Sequence, residues 1–367
     1  MTEPVAATLL SALDDVAAEV GRKGPTRALE LARDFGFEGY LARCLDLEAD
    51  GVRERRVYRG LEAAILRDAA LELGAAFQQA DVPHFFYKGI ALLGPVYQVG
   101  DRDLQDIDVH VTPPAREAAL AALAALGYRP APEDEQPGPP DLRGACVLHR
   151  EAGGTDIETV TVDLHWAVEP LDRLLPRATV AIPKVVWDSL GGEALIAPSD
   201  ECHLVLLAHH VAHHDMLHLK GIIDFTLLWQ RLSTGAGAKV EAVAREVGAL
   251  RAVRVLGGIV SREFDLPQTP GIQPEWDWRA SQIGASDLRG LVRLALATPS
   301  EEAVTITPGR IRRRLGVIDR WSGLWKLLAD VLVPPRSHLA WRWPDAGSRL
   351  HAWGRHASSV AGKLRRR

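Results

Sequence analysis

The sequence predicts an α+β chain: a block of short strands over residues 81–170, set between mainly helical N-terminal and C-terminal regions. Three observations carry this. Residues 5–80 place apolar side chains three and four apart and are rich in Ala, Leu, Glu and Arg, the signature of amphipathic helices. Residues 82–87 (VPHFFY), 107–111, 145–150 and 159–168 are short apolar or alternating runs bounded by turn residues, as strands are. From Ser199 to about residue 297 the spacing is helical again.

The 367 residues are 47% hydrophobic with a formal net charge of −5, which makes the chain globular and long enough for two or three subdomains. No stretch reaches the roughly 18 consecutive apolar residues that a membrane span needs. The opening MTEPVAATLLSALDDVAAEV carries acids where a secretion signal carries basic residues, so the expected location is the cytoplasm. Cys44, Cys146 and Cys202 are scattered, odd in number and without CxxC spacing, which favours reduced thiols over a disulfide frame or a zinc site.

Taken in order, residues 5–80 predict three or four helices, the last broken at Asp81. Residues 82–87 read as a buried strand ending in Lys88-Gly89, and a helix is expected over 90–99. Gly100 and Asp101 form a turn, 107–111 a strand, and Pro113-Pro114 opens a helix to Leu126 that Gly127 closes. Tyr128 begins a further extended segment. Residues 130–141, PAPEDEQPGPPD, are Pro-rich and acidic without periodicity, hence a surface loop. Two strands, 145–150 and 159–168, follow. Ser199-Asp200-Glu201 then caps a long helix, CHLVLLAHHVAHHDMLHL, with another helical segment over 221–232.

Strand alternation locates the candidate chemistry. In 159–168, Val160, Val162, Leu164, Trp166 and Val168 form one apolar face and leave Thr161, Asp163 and His165 on the other. The same alternation sends Ile107, Val109 and Val111 inward and places Asp106, Asp108 and His110 opposite. If the two strands are neighbours, Asp106, Asp108 and Asp163 share a site. Carboxylates on a rigid sheet suit Mg²⁺ shared with substrate phosphates. A two-ion arrangement would activate an attacking hydroxyl and neutralise a leaving pyrophosphate, with Asp163 as a ligand or as the base that takes the proton. Lys88-Gly89 stands at a strand-to-helix turn, where close backbone approach and a helix N-terminus favour phosphate. A lone DxD is common on strand edges; the ordered series of strand, Lys-Gly turn, helix, DID strand, helix and second acidic strand gives it weight.

The series FFYKGIALLGPVYQVGDRDLQDIDVHV, LAALGYR, VDLHWAV and LLAHHVAHHDMLHLKGIIDFTLLW resembles the bacterial uncharacterised nucleotidyltransferase family, within the superfamily of the DNA polymerase β type, over residues 82 to about 230. The resemblance implies a mixed β-sheet core with flanking helices and a Mg²⁺-dependent enzyme, with Mn²⁺ as the alternative ion. Such an enzyme moves NMP from an NTP to an acceptor and releases pyrophosphate. The resemblance maps Asp106 and Asp108 onto the metal-binding pair, Asp163 onto the third acid, and Lys88 and Gly89 onto the turn facing the nucleotide phosphates. Arg102 maps onto an arginine that pairs with a carboxylate or a phosphate oxygen. Two departures stand out: the superfamily's usual Gly-Ser turn is Lys-Gly here, and the third acid is Asp where Glu is at least as common. The chain then divides into a helical region (1–80), a nucleotidyltransferase catalytic core (81–170), a helical region lining the cleft (171–300) and a basic, Trp-rich segment (301–367).

His209, His210, His213 and His214 stack as i,i+4 pairs on the long helix; lacking an H-E-x-x-H pattern, they read as cleft-lining polar residues ahead of a zinc site. His165, His210, His214 and Asp224 are the acceptor-side candidates. Residues 301–367 hold 14 Lys and Arg against five Asp and Glu, and 308–367 hold five of the ten tryptophans. Trp321, Trp325 and Leu328, at helical spacing, are expected to dock on the core with the arginines outward. The other reading of this segment is contact with a nucleic-acid backbone or a membrane surface. Residues 362–367 read as a frayed tail. The acceptor is expected to be a small molecule, a peptide or tRNA. Two competing readings are a non-catalytic nucleotide-binding adaptor or sensor and a toxin-like enzyme acting on tRNA.

Overall fold

The computed structural model describes residues 3–19, 27–47, 51–132, 144–152, 159–173, 179–192, 195–233, 235–264, 272, 288–297, 308–319 and 322–365. Four helices come first: α1 (Glu3–Glu19), α2 (Arg27–Asp34), α3 (Glu38–Cys44) and α4 (Val52–Gln79). The chain leaves α4 through Asp81, whose φ of 52° is left-handed, a region Asp tolerates better than most residues. It then enters β1 (His84–Phe86) and α5 (Lys88–Leu92). α5 is shorter than the helix expected over 90–99. Gly94, with φ 92°, and Pro95 stop it, because proline disfavours helical backbone in the preceding residue and offers no N–H.

β2 (Ile107–Val111), a 3₁₀ turn at Pro113–Ala115 and α6 (Arg116–Ala125) follow, then β3 (Arg129–Pro130), β4 (Ala145–Glu151) and β5 (Thr159–His165). The strands form one mixed sheet in the order β1-β2-β5-β4-β3. β2 and β5 run parallel, and the other neighbours are antiparallel. This is the α+β architecture that the sequence predicts. Most of the Pro-rich loop expected over 130–141 lies outside the described residues.

After the sheet come α7 (Lys184–Trp187), α8 (Asp200–His213), α9 (Leu219–Arg231), α10 (Gly237–Val247), α11 (Leu250–Glu263), α12 (Leu288–Ala297), α13 (Pro308–Val317), α14 (Ser322–Leu332), α15 (Arg336–Arg342) and α16 (Arg349–Arg365). α8 starts after Ser199 as expected, although that side chain makes no capping bond. The single helix expected through Leu219 is two helices. Asp215 (φ 56°) and Met216 (φ 63°) turn the chain between them, and the His218 imidazole caps α9 by accepting from the Gly221 N–H at 3.1 Å. The tail expected over 362–367 is helical through Arg365.

Packing does not follow chain order. One core joins α1, α2 and α3 to α8, α9, α10 and α11. A second sets α4 and α6 on the sheet through Phe77, Phe86, Ile107, Val109, Tyr128 and Leu164. Ile107 and Leu164 are fully buried, and cutting either back to Ala costs about 2–5 kcal/mol. The opposite face of β2, with Asp108 and His110, is buried too. α8 roofs it: Leu206, His209 and His210 line the same cavity as His110. Among the described residues no helix is long and apolar enough to cross a membrane.

Candidate active site

The parallel pairing of β2 with β5 sets Asp108 opposite Asp163 and His110 opposite His165. Neighbouring strands are about 4.8 Å apart, so residues in register on one face present their polar atoms to the same point. Ligand atoms of Asp108, Asp163 and His165 accordingly lie within 4.8 Å of one another. This is the candidate metal site among the described residues. His165, expected on the acceptor side, belongs to it. Asp106 precedes β2 and stands outside that three-atom group, yet it feels the charge of both Asp108 and Asp163.

Lys88 closes the group from above. Its Nζ donates to Asp108 Oδ1 at 2.5 Å, so the ammonium expected to face phosphate is bound to a carboxylate. The Lys88 backbone is left-handed, φ 53°, and its N–H donates to His203 Nε2 on α8 at 3.0 Å. The neighbouring glycine is explained by a different contact: a Cβ at Gly89 would lie 2.1 Å from Arg102 Nη1 and 2.7 Å from Leu104 Cδ2. Gly89 therefore lets the Arg102 guanidinium pass beneath the turn.

The acids exceed the cations here, and their proton affinities show it. Burial alone would raise Asp108, but Lys88 and His165 outweigh it and hold the carboxyl at about 2. Asp106 is pushed up to about 7, first by burial and then by the charges of Asp108 and Asp163. Asp163 is raised by burial and by Asp108, against the opposing pull of His165 and Lys88. For Lys88, burial works against the charge but Asp108 overcomes it, and its affinity for the proton is raised. Two carboxylates thus lack a full counter-charge.

Arg102 and Asp224 form a second buried pair. Arg102 Nε and Nη2 donate to the two oxygens of Asp224 at 2.9 and 2.8 Å, and the Tyr97 hydroxyl adds a third bond at 2.7 Å. Both oxygens of Asp224, expected on the acceptor side, are thereby engaged in a clamp between α9 and the segment leading into β2. His210 and His214 do meet, joined by His218 through the turn after α8, with ring centroids 4.5, 4.8 and 5.2 Å apart. Burial lowers the proton affinity of all three imidazoles. A cavity of about 150 Å³ lies beside the site, lined by Lys88, His110, His165, Glu169, His209 and His210 among others.

Behind the roof, the basic segment turns inward. Arg310 and Arg314 on α13 reach Asp215 at 3.0 and 2.8 Å, and Arg314 donates to the His213 carbonyl at 2.5 Å. Arg310, Arg313 and Arg314 are buried, contrary to the outward arginines expected of this helix. Their long apolar stems and the Asp215 carboxylate on the tight turn account for it. His110 lies on the strand face that alternation gives it, while local spacing gives no sign of His203 and His218. His203 and His218 act through chain reversals that no local spacing records.

A family profile described as uncharacterised nucleotidyltransferase matches residues 40–264. The solution structure of the antibiotic-resistance factor ANT(2'')-Ia is similar over 48% of this chain and 86% of that one, with 18% identity and a TM-score of 0.32. A search of curated proteins returns no match.

Proposed function

This chain belongs to the uncharacterised nucleotidyltransferase family, and on that premise we propose that Asp108 and Asp163 hold Mg²⁺, or Mn²⁺, for transfer of NMP from an NTP to an acceptor hydroxyl with release of pyrophosphate. The observation that supports this is the β2–β5 register, which puts Asp163 beside Asp108 with His165 in reach of both. The donor set fits such an ion. Two carboxylates suit a hard divalent cation, the imidazole adds tolerance of Mn²⁺, and the Lys88 ammonium already sits on Asp108, where positive charge is stable. When bound, the metal neutralises charge on the phosphates and activates the attacking oxygen.

The chain's own groups do the remaining work. The acceptor oxygen attacks the α-phosphorus as the bond to the bridging oxygen breaks, pyrophosphate leaves with that electron pair, and Asp163 takes the acceptor's proton. Asp106 adds a third carboxylate at the edge of the site. Lys88 exchanges Asp108 for the leaving phosphates. Gly89 and Arg102 serve the nucleotide indirectly, by fixing the turn that carries Lys88. The acceptor enters the cavity under α8, against His165 and His210, with His214 behind them. In this reading 81–170 is the catalytic unit and 171–300 its roof, and the enzyme works in the cytoplasm.

Incubation with NTPs labelled at the α-phosphate, Mg²⁺ or Mn²⁺ and cell extract should move label onto an acceptor with the wild type and not with Asp108→Asn. Absence of both transfer and metal-dependent NTP binding in the wild type would end this reading.

A further inference from the structure

Trp325, expected to dock on the core, is 72% exposed, and Leu332 on the same helix is 64% exposed. Residues seven apart lie on one helical face, two turns from each other. Gly323, Leu327 and Asp330 are the buried positions of α14 instead. The end of α14 abuts α16: the Trp353 indole N–H donates to the Leu332 carbonyl at 3.0 Å, and His356 Nε2 lies 3.2 Å from the Val331 carbonyl. That contact brings Val333, Trp353 and, one turn earlier on α16, Leu350 to the same end of the molecule, all exposed, Leu350 by 82%. Helices α15 and α16 carry exposed arginines, Arg336 and Arg342 on α15 and Arg349 at the start of α16, next to Leu350 in the chain.

Clustered exposed apolar side chains mark an interaction surface, and their composition selects the partner. Base stacking would use the two indoles but offers nothing to Leu332, Val333 and Leu350. A bilayer accommodates all five. Aliphatic side chains enter the boundary of the acyl region, Trp settles at headgroup depth, and arginines meet anionic headgroups. We propose that the α14–α16 face docks on an anionic lipid bilayer, with Trp325, Leu332 and Leu350 inserted and Arg336, Arg342 and Arg349 on the headgroups. The face lies apart from the acid site and does not depend on the chemistry proposed there.

Co-sedimentation of the full chain with phosphatidylcholine vesicles, with and without phosphatidylserine, tests this. The wild type should pellet with the phosphatidylserine vesicles and stay in solution with phosphatidylcholine alone. The double change Trp325→Ser and Leu350→Ser, and separately Arg336→Glu with Arg349→Glu, should each weaken that binding about tenfold. All four positions are exposed, and circular dichroism will confirm that the variants fold. Wild-type protein that ignores phosphatidylserine vesicles would overturn the proposal. So would binding to a single-stranded RNA oligonucleotide that only the arginine variant loses, or a concentration-dependent dimer that the apolar variant abolishes; these would assign the face to nucleic acid or to a second copy.

Discussion

Asp224 and Asp108 are both buried, and each faces a cation supplied by residues 88–108, yet the two pairs differ in what surrounds them. Asp224 receives both arms of Arg102 and the Tyr97 hydroxyl, so its oxygens are satisfied. Asp108 has one lysine, shared in effect with Asp106 and Asp163, both of which are driven toward their neutral forms. A saturated pair holds a fold together; an acid excess in a closed site is a place prepared for a further cation. On the function proposed above, the clamp is structural and the acids are chemical.

Breaking each pair should give opposite signatures. Asp224→Ala strands a buried guanidinium and should lower stability by about 3–5 kcal/mol, read as a shift in the urea midpoint. Asp163→Asn removes a carboxylate that burial and Asp108 already disfavour. It should leave the urea midpoint unchanged or higher while label transfer falls on the order of a hundredfold. If Asp163→Asn destabilised as strongly as Asp224→Ala, the contrast between the two pairs would be lost. Lys88→Met takes away the resident cation on Asp108, so Mn²⁺ alone should bind about tenfold more tightly, measured by paramagnetic resonance; weaker binding would show that Lys88 supports the metal instead of competing with it.

The effect that appears only when the pH is lowered concerns the roof. His209 and His214 are held at about 4, mainly by burial and then by nearby cations, against about 6.5 in an unfolded chain. The unfolded state therefore takes up protons first. The stability these residues contribute is complete above about pH 6.5 and is lost as pH falls toward 4, by up to about 1.4 kcal/mol per pH unit for each. Urea midpoints measured across that range should fall less steeply for His209→Gln than for the wild type.

Much of this was written in local pattern. Helical spacing predicted three or four helices before Asp81, where four stand, and strand alternation put Asp108, His110, Asp163 and His165 on the faces they occupy. The helix expected over 90–99 stops at Leu92, where Gly94 and Pro95 end it. What local pattern does not carry is pairing across the chain. Arg102 and Asp224 are 122 residues apart, and the arginines of α13 turn inward to meet Asp215 on a left-handed turn and the His213 carbonyl beside it. Trp325 failed for a related reason: helical spacing fixes which residues share a face but not which face meets the core.

Asp108, Asp163 and His165 are proposed as a divalent-cation site used with a nucleotide. Its most direct test is Mn²⁺ binding followed by paramagnetic resonance in the presence of a non-hydrolysable ATP analogue, comparing wild type with Asp163→Asn. A bound, nucleotide-dependent Mn²⁺ signal in the wild type that disappears in the variant is the predicted result; a signal of equal strength and affinity in both proteins would contradict it.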